Sequence, residues 1–433
     1  MDDLKGIKYL RQKLERKRVR VRLRYAYYEG KALSPSNLTV IPPWLRNHRK
    51  SSLGWCTRSV DALADRLVFR GFDENTDIYS VNSIFEANNP NVLYRAAIKE
   101  SLIGACAFFY ITHGDLLDEK GRGMPKVTVL TAADATGVMD EHTGFLKEGY
   151  AVLDRDEYGK PLLEAYFAKG ATIFYEGGKE LTIEESAAQY PLLVPAVYRA
   201  DSKRLFGHSR ISRPSMYIQD KAEDTLELMN IASEFYAFPQ KYVSGTDPNS
   251  DPMDSWKASI TSLLWFDKDE AGDHPVLGQF QQATMTPYIE QMRMWGQLFS
   301  GETGLTSDDL GFVTDNPSSA ESIKATHENL RLMARDAQRG YSSAFANAGY
   351  IAACVRDNEP YAPEMIPAMR GLWEPVFEPD ASALSTVGDG AIKINQAVPG
   401  YFNRENLREL TGIESAEEPV GLEPEEIEEV VAE

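Results

Sequence analysis

The chain has 433 residues with a formal net charge of −19, and 43% of its residues are hydrophobic. This length permits two or three domains with a sizeable core, in a composition typical of globular proteins. The acidic balance disfavours tight phosphate binding, which depends on Lys and Arg, and no run of about eighteen apolar residues predicts a membrane-spanning helix.

The two ends of the chain carry opposite charge. Residues 1–24 hold ten Lys or Arg against three Asp or Glu, whereas residues 414–433 hold nine Glu and no basic residue. The basic end predicts an amphipathic helix from Lys5 to Tyr28, which stops at Gly30. This segment has no apolar core of the kind found in secretion signals. The acidic end is too polar to bury surface, so we expect residues 413–433 to be a disordered or weakly helical tail.

The first half of the chain predicts an α+β fold. A helix is expected over residues 51–66, and another begins at Asn89-Pro90 and ends near Gly104. A strand from Cys106 to Thr112 follows, and alternating short apolar runs from Lys126 to Tyr175 predict an antiparallel sheet. The three widely spaced cysteines, which lack any C-x-x-C pair, predict reduced and buried thiols.

The second half predicts three long helices. The first, from Ser212 to Tyr236, has an apolar face and an opposite face that carries carboxylates at Asp220, Asp224, Glu227 and Glu234. Short strands then extend from Pro239 to Phe280, and a second helix starts at Thr286-Pro287 and ends at Gly301. These predictions follow from helical spacing, from strand-like alternation and from the helix-breaking residues that bound each segment.

A polar loop then precedes the third and longest helix. The signals Asn316-Pro317 and Ser318-x-x-Glu321 mark its start, and the pattern continues to Gly349. Small or apolar residues recur at 3-4 spacing along one narrow stripe: Ala320, Ile323, His327, Leu330, Ala334, Ala337, Tyr341, Ala344 and Ala348. Such a stripe suits packing side by side in an assembly.

Signatures of catalysis are missing from the sequence. There is no P-loop, dinucleotide fingerprint, zinc-ligand spacing or nucleophile elbow, so we expect neither an enzyme nor a bound cofactor. The loop carboxylates Glu302, Asp308, Asp309 and Asp315 could hold a divalent ion, but an acidic loop is more simply explained by solvation. A hydrolase acting through paired carboxylates is the least favoured alternative.

Several stretches resemble the portal proteins of tailed bacteriophages, in particular those with long non-contractile tails. The clearest is the order TGL, LG and DNPSSAESIK between residues 303 and 324, ahead of the long helix. Weaker similarities occur in the same order along the chain, at residues 27–31, 60–67, 70–72, 373–375, 388–393 and 407–412. Their combination is more specific than any one of them.

The resemblance implies a portal architecture with named parts. These are an N-terminal wing (1–211), a stem helix (212–236), a clip insert (237–284), a second stem helix (285–301), a tunnel loop (302–317), a tunnel helix (318–350), a C-terminal wing and crown region (351–412) and the acidic tail. It also implies a dodecameric ring at one capsid vertex, through which double-stranded DNA is packaged and ejected. Expected partners are the large terminase subunit with its packaging ATPase, head-completion or adaptor proteins, and the major capsid and scaffolding proteins. The expected location is the virion, and the host cytoplasm during assembly.

The resemblance also implies roles for particular residues. The loop residues expected at the DNA channel are Leu305, Thr306, Asp308, Asp309 and Phe312. The carboxylates Asp220, Asp224, Glu227 and Glu234 either line the channel or form a solvated face. Apart from the resemblance, the sequence pattern suggests an interface role for Trp256 and Trp265, with a core position as the alternative. Arg16 and Arg20 of the basic helix either pair with the acidic body of a neighbouring subunit, contact DNA or a motor protein, or lie on a solvated face. Another head-tail adaptor or a minor capsid protein remains the alternative function.

Overall fold

The computed structural model describes residues 4–32, 51–114, 116–117, 121–237, 241–244, 276–279, 284–312, 327–376, 381–403, 406–407 and 411. The chain divides into two compact units. The first combines residues 1–18, 62–209 and 330–433, and the second combines residues 19–61 and 210–329. Helices occur together with antiparallel sheets, which confirms the predicted α+β class.

The elements of the chain run as follows. The helices are α1 (Gly6–Tyr28), α2 (Trp55–Ala64), α3 (Val81–Glu86), α4 (Pro90–Gly104), α5 (Arg213–Ala237), α6 (Thr286–Thr303), α7 (Glu328–Asp357) and α8 (Ala381–Ala397). The strands are β1 (Phe69–Phe72), β2 (Cys106–Thr112), β3 (Lys126–Thr131), β4 (Ala135–Met139), β5 (Leu146–Arg155), β6 (Pro161–Ala168), β7 (Ala171–Glu176), β8 (Lys179–Glu185), β9 (Leu193–Val197), β10 (Lys241–Ser244), β11 (Val276–Gln279) and β12 (Gly371–Trp373). Short 3-10 helices occupy Asp308–Leu310 and Pro363–Ala368.

The described residues of the first unit form three antiparallel sheets. Strands β4 to β8 make a five-stranded meander in chain order, so each strand pairs with the next one along the sequence. Strand β2 lies between β3 and β9 in a second sheet, and β1 pairs with β12 across 300 residues of sequence. The predicted sheet from Lys126 onward and the predicted strand Cys106–Thr112 are therefore confirmed.

The centre of the first unit is an aromatic cluster around Phe345 of α7. Its ring lies 4.8 Å from that of Phe69, 4.9 Å from Tyr94, 5.7 Å from Phe109 and 6.1 Å from Trp373, measured between centroids. These rings come from α7, β1, α4, β2 and β12. Large apolar side chains contribute most of the burial energy of a core. Packing in this cluster therefore stabilises the position of α7 against β1, α4, β2 and β12.

The stripe of α7 is buried by the chain itself. Leu330, Ala334, Tyr341 and Ala348 are 0% exposed in the single chain, and the helix from Ala344 to Arg356 is almost wholly covered. The prediction that this stripe packs between copies is therefore wrong for the described part of the helix, because the aromatic cluster and neighbouring elements already occupy that face. Ala320, Ile323 and the predicted start at residues 316–321 lie outside the described residues.

The first part of α1 packs against the five-stranded sheet of the same unit. Leu10 and Leu14 join a buried cluster with Tyr150 and Val152. The carboxylate of Glu148 accepts hydrogen bonds from the backbone N–H groups of Lys5 and Gly6, at 2.9 and 3.0 Å. A helix start leaves N–H groups without helical partners, so this distant carboxylate serves as the cap of α1.

The second unit is built around the antiparallel pair of helices α5 and α6. The indole N–H of Trp295 on α6 donates to the hydroxyl of Thr225 on α5, at 3.1 Å. Helix α6 extends to Thr303, and Gly304 is its C-terminal cap, so the predicted end at Gly301 is wrong. Gly304 adopts φ 69°, and its N–H donates to the carbonyl of Ser300, which closes the helix with a left-handed residue.

Candidate functional site

The loop predicted to meet DNA has a defined conformation up to Phe312. The side chain of Asp309 accepts hydrogen bonds from the backbone N–H and the hydroxyl of Thr306, both at 3.0 Å. In return the N–H of Asp309 donates to the Thr306 hydroxyl at 3.2 Å. This reciprocal capping holds the single 3-10 turn at Asp308–Leu310, which then ends at Gly311 with φ 86°.

The apolar residues of this loop pack inward. Leu305 is 6% exposed. The ring of Phe312 meets that of Trp55 edge-on, with centroids 6.1 Å apart, and Trp55 also contacts Phe299 of α6 at 5.5 Å. A Cβ placed on Gly296 would lie 2.4 Å from the Phe312 ring, so a glycine is required on α6 for the loop to fold back this closely.

Charge in the loop is divided between two different environments. The side chain of Asp309 is 9% exposed, and its oxygens lie 3.7 Å from Nη2 of Arg58 and 3.9 Å from Nδ1 of His327. Asp308, the adjacent residue, is exposed to solvent. Of the five loop residues singled out in the sequence, Asp308 is therefore the one that presents an exposed carboxylate, while Leu305, Asp309 and Phe312 stabilise the loop.

The carboxylates of α5 make hydrogen bonds to the N-terminal part of their own unit. Asp220 accepts from the hydroxyl of Tyr27, at 2.8 and 3.0 Å. Glu223 accepts from the N–H of Leu53 at 3.0 Å. Burial raises the pKa of Glu223, and the N–H of Leu53 and the amide of Gln219 oppose that increase.

The next turns of α5 continue this pattern in part. Glu227 accepts from the N–H and the hydroxyl of Ser51, at 3.2 and 3.0 Å. Asp224 pairs with Lys221 at 3.0 Å, and this hydrogen bond raises the pKa of the lysine. The side chain of Glu234 lies outside the described residues. A role for these carboxylates at a channel stays a prediction.

One organising residue of this unit was missed in the sequence. Arg210 is 7% exposed, and its guanidinium donates to the carbonyls of Ser59 at 2.9 Å and Thr303 at 2.7 Å. The Thr303 carbonyl lies at the carboxyl end of α6, where backbone acceptors lack helical partners and a positive charge is favoured. A lone arginine after a strand gives no sequence signal for this role.

The remaining predicted site residues are only partly described. Arg16 and Arg20 are exposed on α1, so an interface role stays a prediction. Trp256, Trp265 and Asp315 lie outside the described residues. In the described part of the chain, no group of three or more His, Cys, Asp or Glu side chains is arranged to hold a metal ion. Within the same part, no helix combines the length and the apolar character needed to cross a membrane.

Comparison with known proteins shows similarity to phage portal proteins. No family model matches the chain. The portal protein of Mycobacterium phage L5 is 21% identical over 399 residues, which cover 88% of this chain and 80% of that protein. The portal protein of Mycobacterium phage D29 is 21% identical over 407 residues, which cover 90% of this chain and 82% of that protein. The resemblance predicted from the sequence is confirmed by these two relatives.

Two solved structures with a detectable likeness come from the necks of GTA particles. A chain in the neck of a native GTA particle, computed with C12 symmetry, has a TM-score of 0.46 and 14% identity, with 83% of this chain and 89% of that chain covered. A chain in the neck of an empty GTA particle, computed with C6 symmetry, has a TM-score of 0.40 and 15% identity, with 83% and 90% covered.

Proposed function

We propose that this chain is the portal protein of a tailed bacteriophage, a structural protein that forms a ring at one vertex of the capsid. The observation that carries the proposal is the match to two portal proteins, which extends over 88% and 90% of this chain and over 80% and 82% of theirs. A similarity that spans both proteins nearly from end to end supports a shared overall role better than a local motif does.

The order of elements in the second unit agrees with this role. Helices α5 and α6 flank the antiparallel strand pair β10–β11, and the loop through Phe312 follows, ahead of the long helix α7. In the proposed assignment, α5 and α6 are the stem, the strand pair belongs to the clip, and the loop and α7 are the tunnel elements. The first unit then supplies the wing.

In this role twelve copies would surround a channel for double-stranded DNA. The channel candidates are the loop residues Leu305, Thr306, Asp308, Asp309 and Phe312, with Asp308 as the group that meets DNA. A ring repeats each exposed carboxylate in every copy, and a band of negative charge keeps the affinity for phosphates low while DNA slides. The described α5 carboxylates are less suited to such a band, because Asp220 and Glu227 accept hydrogen bonds from Tyr27 and Ser51 and Asp224 is paired with Lys221.

The proposed partners follow from the same role. The ring would dock the large terminase subunit during packaging and a head-completion or adaptor protein afterwards, and it would contact the major capsid and scaffolding proteins at the vertex. It would act in the host cytoplasm during assembly and in the virion thereafter. The chain itself would carry out no covalent chemistry and would need no cofactor.

Electron microscopy of the purified protein tests the assembly. Class averages in negative stain should show closed rings with a central bore, and light scattering should give a mass of about twelve chains. A protein that remains a single chain over a wide range of concentration and salt would contradict the proposal. Rings without a bore would favour an adaptor or a minor capsid protein instead.

Charge reversal of the loop tests the channel. Asp308→Lys should raise the affinity of the rings for duplex DNA by tenfold or more at low salt and steepen its salt dependence, because each added Lys–phosphate contact releases counterions. Asp389→Lys, an equal change at an exposed residue of α8, is the control. If both variants bind duplex DNA equally well at every salt concentration, Asp308 does not face the DNA path.

A further inference from the structure

A pocket of about 930 Å³ opens in the first unit between α7 and the β1–β12 pair. One of its walls is a row of arginines on α7, namely Arg331, Arg335 and Arg339. These residues are four positions apart, so their side chains follow one another along a single helix face in steps of about 6 Å. Arg335 and Arg339 are exposed, and neither forms a hydrogen bond or an ion pair with another residue in the described part of the chain.

A fourth arginine reaches the pocket from an irregular strand. Phe69 pairs with Trp373 and Gly71 pairs with Leu372, so Arg70 is the extra residue of a β-bulge. A bulge changes the direction of a side chain relative to the regular strand. The side-chain amide of Asn82 fixes this bulge, since it accepts from the N–H of Phe72 at 2.8 Å and donates to the carbonyl of the same residue at 2.7 Å.

Glycine is required at the centre of this bulge. Gly71 adopts φ 110°, and a Cβ there would lie 2.9 Å from Oδ1 of Asn82. The strand is thus shaped so that Arg70 and Arg370, on adjacent strand segments, line the same cavity as the α7 arginines. Five arginines meet at one pocket: three from α7, Arg70 from β1, and Arg370, the residue that precedes β12.

The remaining lining limits what the pocket can hold. Four carboxylates line it as well, those of Asp73, Glu74, Glu86 and Glu374. They break the positive charge into separate patches, and a bounded pocket suits a short peptide segment better than the continuous backbone of a nucleic acid duplex. Trp373, Leu372 and Val376 add apolar surface. The combination fits a single peptide segment in which carboxylates alternate with apolar side chains.

We propose that this pocket binds the acidic end of the chain, residues 413–433, from the same copy or from a neighbouring one. That segment carries nine Glu, no Lys or Arg, and interspersed Val, Leu and Ile residues. In an extended peptide, side chains two residues apart lie on the same side, about 6.6 Å from each other. The pairs Glu423 with Glu425 and Glu426 with Glu428 would then have nearly the same spacing as neighbouring arginines on α7.

The acidic segment is also long. Thr411 is the last described residue, and residues 412–433 can span up to about 75 Å when extended. The proposal is independent of the portal role. It concerns how the chain uses its own most acidic segment, and it would hold for any assembly that the protein forms.

Cysteine cross-linking in the full-length chain tests the contact. Gln338→Cys places a thiol in the pocket, and Gly421→Cys places one in the acidic segment. The native thiols compete poorly, because Cys56, Cys106 and Cys354 are buried and burial raises the pKa of Cys56 to about 12. A short bis-maleimide should link the two introduced cysteines, with a fivefold or greater loss of yield between about 0.05 and 0.5 M salt as the charges are screened.

Two variants decide whether the arginines cause the cross-link. R335E/R339E in the same double-cysteine chain should reduce the yield at least fivefold, and replacing Glu423, Glu425, Glu426 and Glu428 with Lys in that variant should restore it. Lys169→Cys in place of Gln338→Cys is the positional control, since Lys169 is exposed on the first unit and does not line the pocket. Circular dichroism of each variant verifies that the fold is retained.

The form of the product identifies the source of the segment. A cross-linked single chain with altered gel mobility indicates the same copy, and a cross-linked dimer indicates a neighbour; both support the proposal. Equal yields from the pocket and the Lys169 control, or a yield unaffected by R335E/R339E, would overturn it. A third combination of results would overturn it as well. In that case a 30-bp DNA duplex binds the chain, R335E/R339E abolishes this binding, and no cross-link forms between the pocket and the acidic segment.

Discussion

Each of the two units of this protein is stabilised internally in a different way. In the first, α7 is fixed by an aromatic cluster of Phe69, Tyr94, Phe345 and Trp373. In the second, a small cluster around Trp55 is supplemented by carboxylates of α5 that accept hydrogen bonds from residues 27–53. The first arrangement is insensitive to pH and salt, whereas the second depends on the ionisation of its carboxylates.

The largest effect is expected from emptying the aromatic cluster. Phe345→Ala should lower the free energy of unfolding of the first unit by about 3–5 kcal/mol, the cost of removing a fully buried aromatic ring. Urea unfolding measures the loss of free energy, and hydrogen exchange of peptides from α4 and β2 locates it in the first unit. Leu332→Ala on the exposed side of the same helix is the control and should cost much less. Equal losses would show that the cluster is not the principal support of α7.

The close approach of α7 to α3 provides the next test. A Cβ on Gly349 would lie 2.1 Å from Cγ1 of Val81, so Gly349→Ala should cost about 1–3 kcal/mol through overpacking. At Gly340, on the same helix, the nearest atom to an added Cβ is a carbonyl oxygen 3.8 Å away. Gly340→Ala should therefore stabilise the unit by about 0.5–1 kcal/mol, and thermal unfolding should show shifts of opposite sign. Shifts of the same sign would contradict the packing at Gly349.

Removing one hydroxyl tests the polar support of the second unit. Tyr27→Phe deletes the donor to the Asp220 carboxylate and should cost about 1–2 kcal/mol, since a hydrogen bond to a charged group is lost. Faster hydrogen exchange in α5 with no change in β5 and β6 would locate the loss in the second unit. Tyr9→Phe, at a partly exposed residue of α1, should be neutral. An unchanged hydrogen-exchange rate in α5 would show that the Tyr27–Asp220 hydrogen bond does not stabilise the unit.

The smallest effect has a distinctive pH dependence. Burial raises the pKa of Glu223, so the folded state binds its proton more readily than the unfolded state does. The stability from this group is complete below the unfolded pKa of about 4.3 and is lost as the pH rises through the folded pKa. Glu223→Gln should thus stabilise the second unit by less than about 1 kcal/mol at pH 7 and have no effect near pH 4. Glu290→Gln, on the exposed side of α6, should show neither change; a loss of stability at pH 7 in Glu223→Gln would contradict the sign.

The sequence by itself determined the local elements of this protein. Proline and asparagine at residues 89–90 predicted the start of α4, alternation predicted the meander from β3 onward, and 3-4 spacing predicted α5 and the buried side of α7. These signals depend on the backbone and on near neighbours, so they can be detected in a single chain. The ordered motifs also sufficed to indicate the resemblance to portal proteins, which the two relatives confirmed.

Tertiary structure decided what each of those faces contacts. Helical spacing identifies an apolar stripe but not its cover: the stripe residues of α7 are buried within the chain itself, and the hydroxyl of Tyr341 meets that of Ser101 on α4 at 2.6 Å. The carboxylates of α5 bind backbone groups more than 160 residues away, and Arg210 bridges Ser59 and Thr303. Contacts between residues so far apart in sequence leave no periodic trace, so only the folded chain assigns them.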